Sequence, residues 1–348
     1  MFKRLIALIM DPINRAKDVA LHTYLIHSPN YDISLPGLDF LHPFDGKKYS
    51  KALQIVRKTL GEATLAGHLH IVERGISDEE LTAGHSDFYI GLTKHKVPVC
   101  QALELMPLRF LPQKLIDNRI VLPMRYATYG TLLATQKALD SQALAINIGG
   151  GYHHASPGHG EGFCLFSDVT IAVNWLREKG VLNQHAKVGI IDLDAHQGQG
   201  FARGFKDDDS VRILDAYNAD VYPRDKVAKG FTTTCLEFHT GCQDEEYLSR
   251  LREALPAFLD EQGPFDLVYY NAGTDIVAGD KLGAMAITEQ GVLERDRMVL
   301  DALAARKIPT VMLTSGGYTA ISHKLIAATI IDRFSNVDSK PGNASLAR

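Results

Sequence analysis

The 348-residue sequence lacks the patterns that mark several large classes of protein. No stretch reaches the roughly 20 apolar residues that a transmembrane helix needs. No block of Lys and Arg forms a basic stripe and the formal net charge is -4, so direct binding to nucleic acid is not expected. The four cysteines include no Cys-x-x-Cys pair, which argues against a disulfide scaffold and a thiolate zinc site. This cysteine usage fits a reducing cytoplasm best and leaves nuclear or secreted-effector localisation open.

Two further patterns are present only in part. The glycines at 149–151 belong to no Gly-x-Gly-x-x-Gly motif, and Gly-x-x-x-x-Gly-Lys occurs nowhere, which disfavours a nucleotide site. Residues 1–10 imitate a signal peptide, but the apolar core is short and Asp11 and Pro12 interrupt it. We therefore expect residues 1–24 to be a helical N-terminal extension and the polar residues 336–348 to be a flexible tail.

Regular alternation of strands and helices begins at Tyr129. The predicted strands are Ala143–Ile148, Lys187–Ile191, Val211–Leu214, Thr234–Phe238, Leu267–Asn271 and Thr310–Thr314. The predicted helices are Thr131–Leu139, Asp168–Lys179, Glu245–Leu259, Glu289–Ala305 and Ala320–Phe334. This order predicts an α/β fold, a three-layer sandwich with a mainly parallel central sheet and helices on both faces.

Three features precede this alternation. Apolar residues at helical spacing predict a helix over Lys48–Leu60. Ser77 followed by Glu80 is typical of a capping box at a helix N-terminus. The stretch Val97–Arg125 carries four prolines, too many for regular secondary structure. It predicts an irregular surface rim, in preference to a loop that joins two domains.

The first candidate metal-binding segment is Asp192-Leu193-Asp194-Ala195-His196, which directly follows a strand predicted to be buried. Residues two apart point to the same side of an extended backbone, so Asp194 and His196 can bind one divalent metal. Asp192 shares that side, either as a third ligand or as a partner of another residue. Loop capping by Asp and His is the alternative at this stage.

The carboxyl ends of parallel strands meet at one edge, which brings three more groups to the same surface. Asp275 is the natural third ligand and leaves an open position for water or substrate. His153 and His154 are candidates for general base and general acid, with Asp192 and Gln199 orienting them. Tyr318 could donate a hydrogen bond to an oxyanion. Any one of these residues could belong to a turn or to the surface, but four strand ends delivering them together make coincidence improbable.

Four segments resemble the motifs of zinc-dependent histone deacetylases. These segments are Gly150–His154, Asp192–Gly198, Asn271–Asp275 and Gly316–Tyr318. The resemblance is closest to the class IV branch, through Leu41–Asp45, Asp192–Gly198, Tyr269–Ile276 and Thr314–Tyr318. The similarity covers residues 25–335, and it implies a single catalytic domain there with the arginase/deacetylase fold.

The resemblance implies hydrolysis of Nε-acyl-lysine amides in proteins or peptides by one Zn²⁺ ion on Asp194, His196 and Asp275. It makes His154 the general base and then acid, and gives His153, paired with Asp192, electrostatic support. Tyr318 would polarise the acyl carbonyl. The implied substrate-binding residues are Gly162, Phe163, Tyr222, Gly151, Gly316 and Gly317. Backbone carbonyls of Asp192, Asp194 and His196 would lie near a structural K⁺.

Position 199 departs from the family pattern because Gln replaces the commoner Asp or Asn. A neutral partner should leave His154 a weaker base that stays unprotonated to lower pH.

Class IV relatives of vertebrates prefer long fatty acyl groups, which suggests long-chain deacylation. The alternatives are an acylpolyamine amidohydrolase and a noncatalytic acyl-lysine-binding scaffold. An arginase-like binuclear site is disfavoured, because it wants more ligands than these three. Oligomeric state is not predicted.

Overall fold

One parallel β-sheet forms the centre of the protein. The computed structural model describes Ile6, residues 22–34 and residues 45–335. The strands are β1 (Thr23–His27), β2 (Leu69–Ile71), β3 (Leu144–Asn147), β4 (Val188–Asp192), β5 (Val211–Asn218), β6 (Thr234–Phe238), β7 (Leu267–Asn271) and β8 (Thr310–Leu313). Their order is β2-β1-β3-β8-β7-β4-β5-β6, and every neighbouring pair is parallel. The predicted α/β fold with a mainly parallel central sheet is confirmed.

Helices cover the sheet on both faces. They are α1 (Lys48–Leu60), α2 (Glu62–Leu65), α3 (Asp78–Leu81), α4 (Asp87–Leu92), α5 (Lys96–Ala102), α6 (Gln113–Ile116), α7 (Leu122–Ser141), α8 (Asp168–Glu178), α9 (Gln199–Gly204), α10 (Lys226–Lys229), α11 (Asp244–Glu261), α12 (Glu289–Ala305) and α13 (Ser322–Ser335). Among the described residues, no helix is both long and apolar enough to cross a membrane.

The periodicity of the sequence located most of these elements. Strands β3, β4, β7 and β8 are completely buried, which explains why they read as continuous apolar runs. Helices α1 and α12 begin and end where predicted, and Ser77 forms the predicted capping box with Glu80. Strands β1 and β2 were not predicted, because β2 has only three residues and β1 lies in a segment without clear alternation.

The prediction of an irregular rim over Val97–Arg125 is wrong. The segment forms α5, a 3₁₀ helix at Met106–Phe110, α6, a π-helical turn at Asp117–Val121 and the start of α7. Its prolines interrupt little, because they lie before a helix or in its first turn, where no N–H partner is needed. Pro123 follows the π-helical turn, where the usual hydrogen-bond ladder already changes.

Some expectations concern residues outside the described part of the chain. These are the signal-like start at 1–10, the motif at 41–44 and the tail at 336–348. Strand β1 begins at Thr23, so the sheet starts two residues before the expected domain boundary at 25. The carboxyl ends of β3, β4, β7 and β8, which are neighbours in the sheet, meet at one edge and carry the site described next.

Candidate active site

Asp194, His196 and Asp275 converge beyond the ends of β4 and β7. Their ligand atoms all lie within 4.8 Å of one another, and all three residues are buried. His196 Nδ1 is 3.0 Å from Asp194 Oδ1 and 3.2 Å from Asp275 Oδ2. His196 and Asp275 are 79 residues apart in the sequence, and the parallel pairing of β4 with β7 brings them together.

This donor set fits a divalent metal such as Zn²⁺, which accepts imidazole nitrogen and carboxylate oxygen. Asp275 Oδ2 is buried without a hydrogen-bond partner of acceptable geometry, which is how an oxygen reserved for a metal looks without the ion. The other Asp275 oxygen accepts from the Ala195 N–H at 2.9 Å. Burial lowers the pKa of His196, but the neighbouring carboxylates of Asp194 and Asp275 outweigh it and raise the pKa well above its usual value, so metal binding would release a proton.

His153 and His154 follow β3 and lie beside this cluster with different partners. His153 Nδ1 is 2.9 Å from Asp192 Oδ2, and Asn271 Nδ2 donates to the other Asp192 oxygen at 2.8 Å. Burial lowers the pKa of His153, but Asp192 and Asp194 outweigh it and raise it to about 9. His153 therefore carries a positive charge near neutral pH.

His154 is poised to remain neutral. Its Nδ1 lies 2.6 Å from Gln199 Oε1. Burial and the neighbouring His153 and His196 hold the pKa of His154 well below its usual value. Because Gln199 has no charge, it offsets this effect only slightly. The two adjacent histidines thus differ in protonation, because their neighbours differ in charge.

The segment 315–318, after β8, closes the site from the other side. The Ser315 hydroxyl and the Gly316 N–H donate to Asp194 Oδ2 at 3.0 and 2.9 Å. A side chain at position 316 would collide with Asp194 and Asp275, so glycine is required there. Tyr318 follows, with its N–H donating to Asp280 Oδ2 at 2.8 Å and its ring 6.1 Å from that of His196.

An apolar cavity opens next to these groups. His153, His154, Asp194 and Tyr318 form its polar side. Its apolar wall consists of Ile33, Leu103, Leu105, Ile120, Met124 and Phe163, with Tyr31, Tyr49 and Tyr152 between them. Four residues of this wall, Leu103, Leu105, Ile120 and Met124, come from the segment that the sequence predicted to be an irregular rim.

The residues predicted to bind substrate lie around the same site. Gly151, Gly162, Phe163 and Gly316 line the cavity. Tyr222 packs edge-on against the ring of His154, with centroids 5.2 Å apart, and is 40% exposed. Gly317 is a packing position, because a side chain there would meet Thr274.

Four buried residues that the sequence reasoning missed support the site. Lys48 donates to the carbonyl of Ser315 at 2.6 Å. Asp168 accepts from the N–H groups of Gly151 and Tyr152 at 2.8 and 3.0 Å. Arg295 donates to the carbonyls of Leu193 and Gly273 at 3.0 and 2.6 Å, which joins the two ligand loops. Asp215 accepts from the Gly198 N–H at 3.0 Å.

Of these four, only Asp215 gave a usable signal in the sequence. It follows the predicted strand Val211–Leu214, so the logic of strand ends applies to it as well. The other three lie in or at the start of helices and reach the site through tertiary contacts alone.

The fold and the site together indicate the class of protein. The parallel sheet is that of the arginase/deacetylase fold, and the crystal structure of the HDA15 HD domain superimposes with a TM-score of 0.67. That match covers 88% of this chain and 87% of the other at 19% identity, so it shows the fold alone. The family model described as the histone deacetylase domain matches residues 42–333. The chain belongs to the histone deacetylase family.

Two relatives illustrate the similarity. Histone deacetylase 2 of Arabidopsis thaliana is 37% identical over 306 residues, which cover 88% of this chain and 77% of that protein. Type-1 histone deacetylase 1 of Dictyostelium discoideum is 26% identical over 258 residues, 71% of this chain and 50% of that protein. Membership of the family supports a hydrolase that acts on acetyl-lysine.

Proposed function

We propose that the protein hydrolyses Nε-acyl-lysine amides of proteins or peptides with a Zn²⁺ ion. The observation that carries the proposal is the convergence of Asp194, His196 and Asp275 beside a histidine held neutral and an apolar cavity. These three residues would hold the ion. When bound, Zn²⁺ supplies Lewis acidity that makes water nucleophilic near neutral pH.

The two histidines divide the proton transfers. His154 Nδ1 faces Gln199, so its Nε2 is the nitrogen that accepts the proton of the attacking water and later returns it. His153 carries a positive charge and is oriented by Asp192. This charge stabilises the negative charge that develops on the acyl oxygen during the reaction. It is also a second source of the proton for the leaving amine.

Tyr318 and the cavity entrance would orient the acyl-lysine. Burial, with the nearby Asp275 and Asp194, raises the pKa of Tyr318 well above its usual value, so its hydroxyl stays a hydrogen-bond donor toward the acyl oxygen. The carbonyl of Gly162 would accept the lysine amide hydrogen. Phe163 and Tyr222 would flank the aliphatic part of the lysine, with Gly151, Gly316 and Gly317 letting the backbone approach closely.

We further propose that the enzyme prefers long fatty acyl groups. The aliphatic residues Leu103, Leu105, Ile120 and Met124 form an apolar wall next to the catalytic histidines. An acyl chain that extends from the reacting carbonyl along this wall would leave water, at roughly 0.8 kcal/mol for each buried methylene. An acetyl group would gain little from the same surface.

The test is an acyl-chain-length profile on one peptide sequence. Acetyl-, octanoyl- and myristoyl-lysine versions are assayed with the Zn²⁺-loaded protein, with and without a chelator, beside acetylputrescine. We expect chelator-sensitive turnover of the peptides that increases with chain length. Acetyl turnover equal to or better than the longer chains would overturn the chain-length preference. Turnover of acetylputrescine alone would identify a polyamine amidohydrolase instead, and turnover of no substrate would refute the enzymatic function.

We also propose a structural K⁺ near the backbone carbonyls of Asp192, Asp194 and His196. The supporting observation is Asp215, whose Oδ1 is buried without a hydrogen-bond partner. Burial and the neighbouring Asp192 raise the pKa of Asp215 well above its usual value, a cost that a bound cation would relieve. Thermal stability should therefore rise with K⁺ more than with Na⁺, and Asp215→Asn should reduce the difference.

Two finer assignments are part of the same proposal. The class IV branch is favoured by the sequence motifs given above. A cytoplasmic location is favoured by the four cysteines, all of which are free thiols.

A further inference from the structure

A chain of hydrogen bonds leads from the protein surface to His154. Tyr222 donates its hydroxyl hydrogen to Glu161 Oε2 at 2.7 Å. Gln199 Nε2 lies 3.4 Å from the Tyr222 oxygen, and Gln199 Oε1 lies 2.6 Å from His154 Nδ1. Four residues from three separate segments thus form one line.

The proton positions along this line follow from Glu161. Burial acts to raise the pKa of Glu161, but hydrogen bonds from His159 and Tyr222 outweigh it, so the carboxyl is ionised and can only accept. Burial and Glu161 raise the pKa of Tyr222 far above neutral, so its hydroxyl keeps its single hydrogen. That hydrogen is used by Glu161, and the Tyr222 oxygen faces Gln199 as an acceptor.

The orientation of the Gln199 amide is then determined. Only its NH₂ group can face the Tyr222 oxygen, because its carbonyl oxygen there would oppose a second acceptor. The carbonyl must therefore face His154 Nδ1, which has to carry the ring hydrogen. A flipped amide would donate to Nδ1 and place the hydrogen on Nε2, the nitrogen that must be free to act as base.

We infer that Glu161 and Tyr222 are positioning residues that set the tautomer of His154 through Gln199. This inference rests on the proposed function and deepens it. An Asp in place of Gln199 would need no such device, since a carboxylate accepts from either face. A glutamine is ambiguous by itself, and the Glu161–Tyr222 pair removes that ambiguity.

The test uses the full chain loaded with Zn²⁺ and separates kcat from KM. Tyr222→Phe keeps the ring but removes the hydroxyl, and Glu161→Leu removes the acceptor. Each should lower kcat by roughly tenfold or more, with a much smaller change in KM. Glu161→Gln should retain most of the activity, because its amide oxygen can still accept from Tyr222. His159→Ala is the control. It should leave kcat close to that of the parent, because His159 contacts the other Glu161 oxygen, at 2.9 Å, and not the one that Tyr222 contacts.

A double variant tests the inference more sharply than either single variant. Because the residues act in series, the double variant of Tyr222→Phe and Glu161→Leu should be no slower than the worse single variant. Independent, multiplying effects would overturn the inference, as would a Tyr222→Phe kcat close to that of the parent.

The tautomer can also be read without turnover. Nitrogen NMR of isotope-labelled histidine, with His154 assigned by its loss in His154→Gln, reports which ring nitrogen carries hydrogen. The parent should show hydrogen on Nδ1, and Tyr222→Phe should show a mixture. An unchanged signal would overturn the inference. This readout decides the matter even if the parent hydrolyses no acyl-lysine, an outcome that would count against the proposed function alone.

Discussion

Lys48 Nζ donates a hydrogen bond to the carbonyl oxygen of Ser315 at 2.6 Å, although 267 residues separate them. The lysine is fully buried in α1, and it also lies 3.5 Å from the Gly317 carbonyl. Burial lowers the pKa of Lys48 to about 8, against the opposing effect of Asp275, Asp194 and Asp280. The side chain thus anchors the backbone that presents Tyr318 and supplies positive charge behind an acidic site.

We predict that Lys48→Met lowers kcat by roughly tenfold, because the segment carrying Tyr318 loses its anchor. The loss of this buried hydrogen bond to Ser315 should also lower the free energy of unfolding by about 1–3 kcal/mol. Steady-state kinetics and denaturant titration measure the two effects. Lys48→Arg, which keeps a donor, should recover part of the activity. A Lys48→Met enzyme with unchanged kcat would show that Tyr318 is positioned by other contacts.

Asp275→Ala should abolish both Zn²⁺ retention and turnover, because two ligands do not hold the ion for catalysis. Metal content after desalting, measured by elemental analysis, is the direct readout. Asp280→Asn is the matched control: Asp280 is also acidic and close, but it accepts from the Tyr318 N–H and belongs to no metal cluster among the described residues. It should keep its metal. Full activity in Asp275→Ala would refute the ligand assignment.

The two histidines should respond differently to pH. The pKa of His154 lies well below its usual value because of burial and two neighbouring rings. Removing the positive charge of one neighbour, as in His153→Asn, should raise the pKa of His154. We therefore expect the acidic limb of the kcat profile to move to higher pH in His153→Asn. A limb that stays in place or moves down would contradict these roles. His154→Ala should lose about 10²–10⁴-fold in kcat.

His85 should make the fold sensitive to acid. Its Nε2 accepts from the Ser167 N–H at 2.8 Å, and burial lowers its pKa to about 4. On acidification the unfolded chain therefore takes up this proton near pH 6.5, and the folded protein only near pH 4. Stability present above the unfolded pKa is thus lost as pH falls through this window, by up to about 3 kcal/mol.

Denaturant titrations between pH 7 and pH 4 test this slope. His85→Gln, which can still accept from Ser167, should flatten it. An equal slope in His85→Gln and parent would assign the acid sensitivity to other groups.

The apolar wall should decide acyl-chain length. Met124 lines the cavity from α7, and Met124→Trp would fill the space beside it. We expect kcat/KM for myristoyl-lysine to fall by roughly 10–100-fold, with acetyl-lysine much less affected. Leu122→Trp, on the same helix but 41% exposed and away from the cavity, is the control. Equal losses for both acyl groups would mean that the chain binds elsewhere.

The sequence by itself determined the elements and the chemistry at their ends. Long apolar runs mark buried strands, and a parallel sheet must bring their carboxyl ends to one edge. For this reason Asp194, His196, Asp275 and Tyr318 could be assigned to one surface without coordinates. The same rule would have selected Asp215, had it been applied after the strand that precedes it.

Only the tertiary structure decided what surrounds those groups. Lys48, Asp168 and Arg295 are polar residues of helices, where periodicity says nothing about which group outside the helix each will contact. The prolines of 97–125 led to a wrong prediction, because a proline breaks a helix only in its interior, and the sequence does not show where each helix begins. The chain of hydrogen bonds from Glu161 to His154 connects three segments of the sequence. Packing of the whole fold fixes the positions of these segments relative to one another. Local patterns encode an element and its end, whereas such contacts depend on how the whole chain closes around the sheet.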